Sequence, residues 1–245
     1  MLKIFSKLFH RGEKPSHPYC SAIVAAAGTS SRMGENKLLM PLDGIPVLAR
    51  TLQNLDGAEL IDEIVVAARE EDLLAIGDLC KIYGISKPVK IVRGGATRLE
   101  SVLAASLECR TDAAYLAVHD GARPLASPEL MDSVVALAHR TNAAAPAVPV
   151  KDTVKIVRDG RVESTPDRET LRAVQTPQVF DGPLLRAALQ AAVEAGAEVT
   201  DDCAAVERLG KEVYLADGSY ENIKITTPED LALAEAILQR REGQV

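Results

Sequence analysis

Behind an apolar run, Ser21–Ala26, the stretch Ala25-Ala-Ala-Gly-Thr-Ser-Ser-Arg-Met-Gly-Glu-Asn-Lys37 gathers small residues, hydroxyls and two cations. Small residues let backbone N–H groups come close to a polyphosphate, and Arg32 and Lys37 add positive charge where its oxygens would sit. The order G-x-x-x-x-G-K-[ST] is absent here, and so is G-x-G-x-x-G. The loop is therefore neither a Walker A loop nor a dinucleotide fingerprint. Gly94-Gly95-Ala-Thr-Arg98-Leu-Glu-Ser101 forms a second cluster. Its glycine pair would let a flat base lie against the main chain, with Ser101 near enough to hydrogen-bond it; an ordinary turn is the plainer alternative. In His119-Asp120-Gly121-Ala122-Arg123-Pro124, Asp120 can meet a metal or a substrate hydroxyl and Arg123 a phosphate. A simple Asp–Arg ion pair would leave the same trace. His119 reads as structural. Thr200-Asp201-Asp202 is either part of a site or a helix cap. Lys224, in Asn222-Ile-Lys-Ile-Thr226, either faces solvent or aims at an anion.

These clusters need a frame that brings them together. Ser21–Ala26, Glu63–Ala68, Val89–Val92 and Ala114–His119 are near-continuous apolar runs, as expected of parallel strands covered on both faces. Ala144–Pro149 is a fifth candidate, pushed toward a sheet edge or strand end by Pro146 and Pro149. Helical patterns at Pro46–Leu55, Glu71–Tyr83, Arg98–Glu108 and Pro128–Arg140 alternate with them, the last N-capped by Ser127. The expected fold is a doubly wound, mostly parallel α/β sheet, Rossmann-like, with a protruding β-arm. The arm is residues 151–170: Lys151–Val157 and Arg161–Glu163 as strands about an Asp159-Gly160 turn. It is too polar to bury itself, which suggests a homodimer in which the arm packs on a second subunit. Helices at Pro183–Ala195, Asp202–Leu209 and Pro228–Arg240, with strands at Glu212–Leu215 and Asn222–Ile225, complete the reading.

The chain has 245 residues and a net charge of −7, a balance that argues against a general nucleic-acid binder. Cys20, Cys80, Cys109 and Cys203 are widely spaced, which suits reduced thiols in a cytoplasmic protein rather than zinc ligands or a disulfide framework. No apolar run is long enough for a membrane span. Residues 1–18 are basic, with Leu2, Phe5, Leu8 and Phe9 at helical spacing. A flexible extension is expected there, with membrane contact as the alternative. Residues 19–240 read as one domain and 241–245 as a tail.

The ordered series AAAGTSSRMG-ENK, GGATRLES, HDGARP, PVKDTVK, TPQVF, TDD and NIKITTPEDL resembles the 2-C-methyl-D-erythritol 4-phosphate cytidylyltransferases over about residues 19–240. The resemblance implies transfer of CMP from CTP to a methylerythritol phosphate, with release of pyrophosphate, in non-mevalonate isoprenoid synthesis. It implies that Arg32, Lys37 and Lys224 neutralise charge in the transition state, with magnesium bridging the triphosphate. Ala26, Ala27, Gly28, Thr29, Ser30, Gly94, Gly95, Ser101 and Asp120 would hold CTP. Asp120, Arg123, Thr153, Thr200 and Lys224 would hold the sugar phosphate, and Arg168 on the arm would reach the partner subunit's site. The sequence departs from the family pattern at Ser30, Leu38 and Ala96; the last removes one possible contact to the base. A relative acting on another polyol phosphate, such as ribitol 5-phosphate, and a non-catalytic nucleotide-binding regulator are the competing readings.

Overall fold

A computed structural model describes residues 17–28 and 36–243. The basic stretch up to residue 16, together with Thr29, Ser30 and Arg32 of the first glycine loop, lies outside the described residues.

In chain order the elements are β1 (Cys20–Ala26), the short β2 (Pro41–Leu42) and β3 (Ile45–Pro46), α1 (Val47–Gly57), β4 (Glu63–Ala68) and α2 (Leu73–Ile82). Next come β5 (Val89–Arg93), α3 (Arg98–Glu108), β6 (Tyr115–Asp120), α4 (Pro128–Thr141) and β7 (Ala143–Pro149). The arm hairpin is β8 (Ile156–Arg158) and β9 (Arg161–Ser164). Then follow β10 (Arg172–Val174), β11 (Gln178–Asp181), α5 (Gly182–Glu194), α6 (Asp202–Glu207), β12 (Tyr214–Asp217) and α7 (Pro228–Glu242).

The main sheet runs β10-β7-β11-β6-β1-β4-β5, with β12 paired to β7. The β1–β4, β1–β6, β4–β5 and β12–β7 ladders are parallel; β10 and β11 run against their neighbours. Alternate residues of each buried strand serve opposite faces. Ala22, Val24 and Ala26 of β1 join Leu48, Leu52 and Leu55 of α1 and Met131, Val134 and Val135 of α4 on one side. Ile23 joins Val102 and Ala105 of α3 and Leu185 and Leu189 of α5 on the other. This two-sided burial is why the strands read as unbroken apolar runs, and it makes the sheet doubly wound. α7 closes a smaller cluster in which Ala234 and Ile237 meet Leu42, Leu125 and Ile225.

Four sequence expectations change. Ala143–Pro149 is an interior strand, flanked by β10 and β11 on one side and β12 on the other. Pro146 is tolerated because its missing N–H falls at the break between β10 and β11, where its carbonyl accepts from Gln175 N at 2.8 Å. Asn222–Ile225 is not a strand; turn and loop bonds and side chains hold it where a ladder was expected. In the arm only Ile156–Arg158 pairs with Arg161–Ser164, so residues 151–155 are not strand. The expected Glu212–Leu215 strand is Tyr214–Asp217. Strand β10, which precedes the TPQVF stretch, and β11, which begins within it, carry no alternation long enough to announce them.

The arm turn is as expected: Asp159 (φ 49°) and Gly160 (φ 75°) both take positive φ, the geometry of a tight hairpin turn. The arm stands clear of the core, with Ile156, Val157 and Val162 exposed.

Candidate active site

A cavity of roughly 310 Å³ opens where β1 and β6 end and β5 passes into α3. Open α/β sheets place their ligand sites at this carboxyl edge. Ala25, Ala27, Gly28, Lys37, Gly95, Arg98, Ser101, Asp120 and Lys224 line it. Residues separated by up to two hundred positions thus meet on one wall.

The glycine pair is fixed by close packing. A Cβ on Gly94 would lie 2.6 Å from the Ala27 Cβ and 2.8 Å from Ser101 Oγ, so any side chain there would part the two loops. Gly94 N–H donates to the Ala68 carbonyl at 2.8 Å, anchoring the turn to β4. Ser101 does not stand ready as a simple base contact. Its hydroxyl accepts from Gly95 N at 3.1 Å and donates to Thr97 O at 2.7 Å, so it shapes the loop. Thr97 and Glu100 form a capping box at the start of α3, and Glu100 accepts from Ala96 N at 2.7 Å and Thr97 N at 3.0 Å. Those N–H groups are committed to the loop itself.

Asp120 is the electrostatic centre. Its carboxylate lies 3.0 Å from Lys224 Nζ, 3.4 Å from Arg123 Nε and 3.7 Å from Arg98 Nε. Burial alone would raise its pKa; Lys224, Arg98 and Arg123 together override that and hold it well below the usual carboxylate range. Lys224, left open between solvent and an anion, pairs with the Asp120 carboxylate and keeps part of its side chain open to solvent. Arg123 also donates to Asn222 O at 2.7 Å. Burial lowers its pKa, and Asp120 opposes that fall.

Arg98 was visible in the sequence only as part of a motif, with no role. It reaches Asp202 with a bond of 2.7 Å, across 104 residues of sequence, while facing Asp120. Burial works against its charge, but Asp202 and then Asp120 outweigh burial and raise its pKa. Asp202 is fully buried, and burial pushes its carboxyl up while Arg98 pulls it back. The two carboxylates of the TDD stretch divide the work: Asp201 caps α6 by accepting from Ala204 N at 2.9 Å, and Asp202 turns inward to Arg98. Among the residues that line the cavity, Lys37, Arg98 and Lys224 outnumber Asp120, so its wall carries net positive charge suited to a polyanion.

His119 is structural, as read from the sequence. It is completely buried, and burial lowers its pKa to about 4, so the ring is neutral. Thr176 Oγ1 accepts from Asp120 N at 3.0 Å and lies 3.0 Å from His119 Nδ1. The Arg123 carbonyl, 3.4 Å from Nε2, can only accept, so in the neutral ring Nε2 carries the hydrogen and Nδ1 accepts from the Thr176 hydroxyl. Thr176 therefore fixes the end of β6 that presents Asp120. No isolated sequence signal marks this role.

Not every expected residue gathers at the cavity. Ala26 points into the core, although its neighbours line the wall. Thr200 is exposed beside Asp201. Thr153 and Arg168 sit on the exposed arm, where Arg168 donates to Lys151 O at 2.9 Å. Among the described residues no group of three or more His, Cys, Asp or Glu side chains could hold a metal ion. Asp120 offers one hard carboxylate at the cavity wall. That fits a magnesium ion held mainly by substrate phosphates, which needs only one or two carboxylates from the protein.

A doubly wound sheet with a cation-rich cavity at its carboxyl edge, closed by a glycine pair packed on a small-residue loop, defines a nucleotidyltransferase of the Rossmann-like α/β class. The chain belongs to the 2-C-methyl-D-erythritol 4-phosphate cytidylyltransferase family, whose sequence profile matches residues 20–240. The enzyme of that name from Bacillus cytotoxicus is 44% identical over 223 residues, covering 89% of this chain and 98% of that one. Its counterpart from Desulforamulus reducens is 46% identical over 224 residues, covering 90% and 96%. Among solved structures, the 4-diphosphocytidyl-2C-methyl-D-erythritol synthase of Anaerococcus prevotii superposes with a TM-score of 0.82 at 34% identity, covering 90% of this chain and 98% of that one. The Thermus thermophilus cytidylyltransferase superposes with a TM-score of 0.73 at 33% identity, covering 89% and 98%.

Proposed function

We propose that the protein transfers CMP from CTP to 2-C-methyl-D-erythritol 4-phosphate, releasing pyrophosphate and 4-diphosphocytidyl-2-C-methyl-D-erythritol, as its family does in non-mevalonate isoprenoid synthesis. The observation that carries this reading is the meeting of Lys37, Lys224, Arg98 and Asp120 with Gly95 of the glycine pair in one cavity. An oxygen of the substrate phosphate attacks the α-phosphorus of CTP, and the bond from that phosphorus to the bridging oxygen of the leaving pyrophosphate breaks. The attacking phosphate is already an anion, so no general base is needed. Catalysis then rests on alignment and on charge neutralisation.

In this reading Lys37 and Lys224, with Arg32 from the first loop, neutralise charge that builds on the phosphoryl oxygens. The backbone from Ala26 to Ser30 cradles the triphosphate, and the Gly94–Gly95 turn packs on the cytosine. Asp120 orients Lys224 and meets substrate hydroxyls, while Arg123, Thr153 and Thr200 hold the sugar phosphate. If magnesium binds together with the triphosphate, Asp120 is the protein carboxylate that would be placed to hold it, and the ion would supply further neutralisation of charge on the leaving pyrophosphate. The active form is a homodimer joined through the arm, with Arg168 completing the partner's site; the exposure of Ile156, Val157 and Val162 supports this. Four buried, unpaired thiols suit a reducing cytoplasm. Among the described residues no helix is long and apolar enough to cross a membrane.

Pyrophosphate release measured with CTP and magnesium tests the reading directly. Methylerythritol phosphate should support turnover, and equal or faster turnover with ribitol 5-phosphate would overturn the substrate assignment. Lys37→Ala and Lys224→Ala are each expected to lower kcat by about 10²–10³, the scale of removing one transition-state charge partner. Unchanged pyrophosphate release in both variants would refute the site.

A further inference from the structure

Lys37 lines the cavity, but the element that carries it is a turn, not a strand or helix. A lysine side chain has four flexible carbons, so its charge is useful to a transition state only if its backbone is held. The holding contacts flank it on both sides. On the C-terminal side Leu38 is buried in the core, and its carbonyl accepts from Leu48 N at 2.9 Å. On the N-terminal side the Asn36 side chain makes two bonds in opposite directions. Its Nδ2 donates to Asp72 Oδ2 at 3.0 Å, and its Oδ1 accepts from Leu38 N at 3.2 Å. The Asn36 carbonyl accepts from Leu39 N at 3.0 Å and completes the turn.

Asp72 is itself fixed. It is buried just before α2, and Arg69 donates to the same carboxylate oxygen, Oδ2, at 2.8 Å. Arg69 follows β4 directly, and β4 is the sheet neighbour of β1, whose end forms the cavity floor. Arg69, Asp72 and Asn36 thus make a short relay from the rigid sheet to the turn that carries Lys37. None of the three is among the residues that line the cavity.

We propose that Asn36 and Asp72 are positioning residues for Lys37: they fix the turn so that the lysine charge meets the transition state. The proposal rests on the role given to Lys37 above. A residue acting only through Lys37 should lower kcat and leave the KM for CTP nearly unchanged. A general structural role would instead move stability and both kinetic constants together.

The test is pyrophosphate-release kinetics on the full chain for Asn36→Ala, Asp72→Ala, Asp72→Asn, Lys37→Ala and the Asn36→Ala/Lys37→Ala double variant. Asn36→Ala is expected to lower kcat about tenfold with KM for CTP within about twofold, the scale of one charge-assisted hydrogen bond. Asp72→Asn keeps an acceptor for Asn36 and should recover most of what Asp72→Ala loses. The double variant should be no slower than Lys37→Ala alone, because the tether has nothing left to position. Wild-type kcat in Asn36→Ala overturns the proposal. So does a double variant slower than Lys37→Ala by the full Asn36→Ala factor. If Lys37→Ala itself turns over normally, the role of Lys37 is what fails, and the two failures are told apart.

Discussion

At the scale of single residues, the candidate site is built on charges that would be costly alone. Asp120 stays ionised because three cations converge on it, and the buried Asp202 is compensated by the Arg98 guanidinium. Removing a cation would leave a buried carboxylate less compensated, so these groups position one another as much as they bind. His119 illustrates the opposite choice, a titratable group kept neutral. Its pKa is about 4 in the folded chain against an ordinary 6.5. The unfolded chain therefore binds a proton at a pH where the folded chain does not. His119 thus supports the fold fully above pH 6.5, and that support drains as the pH falls from 6.5 toward 4, by up to about 3 kcal/mol. His139, also lowered by burial, adds to the same slope but is only part-buried. Guanidinium midpoints between pH 7 and 5 should fall steeply for the wild type. His119→Gln should start lower and show a flatter fall. An unchanged slope in the variant would assign the acid sensitivity to other groups. That His119 is structural could be read from the sequence, because a histidine inside an apolar strand run has little access to solvent. Its tautomer could not, because that depends on Thr176, 57 residues further on.

At the scale of elements, the legible parts were those whose periodicity is imposed by burial. The Glu63–Ala68 strand and the Arg98–Glu108 helix fall as read, the first buried throughout and the second set by a capping box. Asn222–Ile225 misled for a definite reason. Alternating Ile223, Lys224 and Ile225 has the period of a strand, but it is held by turn and loop bonds and by side chains rather than by a strand ladder. Asn222 Nδ2 donates to Thr176 O at 3.0 Å and Gln175 Oε1 at 3.2 Å. Gln175 Nε2 donates to Ser219 O at 2.8 Å, and its Oε1 also accepts from Ser219 N at 3.3 Å. No local pattern announces bonds that span more than forty residues. Ile225 N donates to Ala122 O at 2.8 Å and seats Lys224 against Asp120. Gln175 therefore substitutes for a missing ladder, and Gln175→Ala should destabilise the chain by about 2–4 kcal/mol, because it strands several buried polar groups. Urea unfolding measures the loss, and kcat should fall further than stability alone explains, since Lys224 is loosened. A variant with wild-type kcat would show that Ile225 and Asn222 hold the segment without it.

At the scale of the whole molecule, the arm is the part the fold does not explain by itself. A two-stranded hairpin is marginal alone, and this one exposes Val154, Ile156, Val157 and Val162 with no helix or sheet over it. Its root is tied back to the body: Tyr220 OH donates to Pro149 O at 2.8 Å, and Lys151 stacks over the Tyr220 ring at 3.7 Å. The arm thus leaves the body from the same neighbourhood that holds Lys224, yet its own Arg168 does not line the cavity of its chain. If Arg168 serves the second subunit, two inactive variants should repair each other. Arg168→Ala supplies an intact Lys224, and Lys224→Ala supplies an intact arm. When the two are co-expressed in equal amounts, half of the dimers are mixed. Each mixed dimer then pairs one sound site with one that lacks both residues. Activity should recover to about a quarter of the wild-type value per chain, while each variant alone stays low. A reading in which Arg168 acts within its own chain gives no recovery, because neither chain then holds a complete site. Scattering mass separates the two cases from a failure to associate. An Ile156→Asp change on the exposed arm should give a species near the chain mass of 26.2 kDa and abolish the recovery.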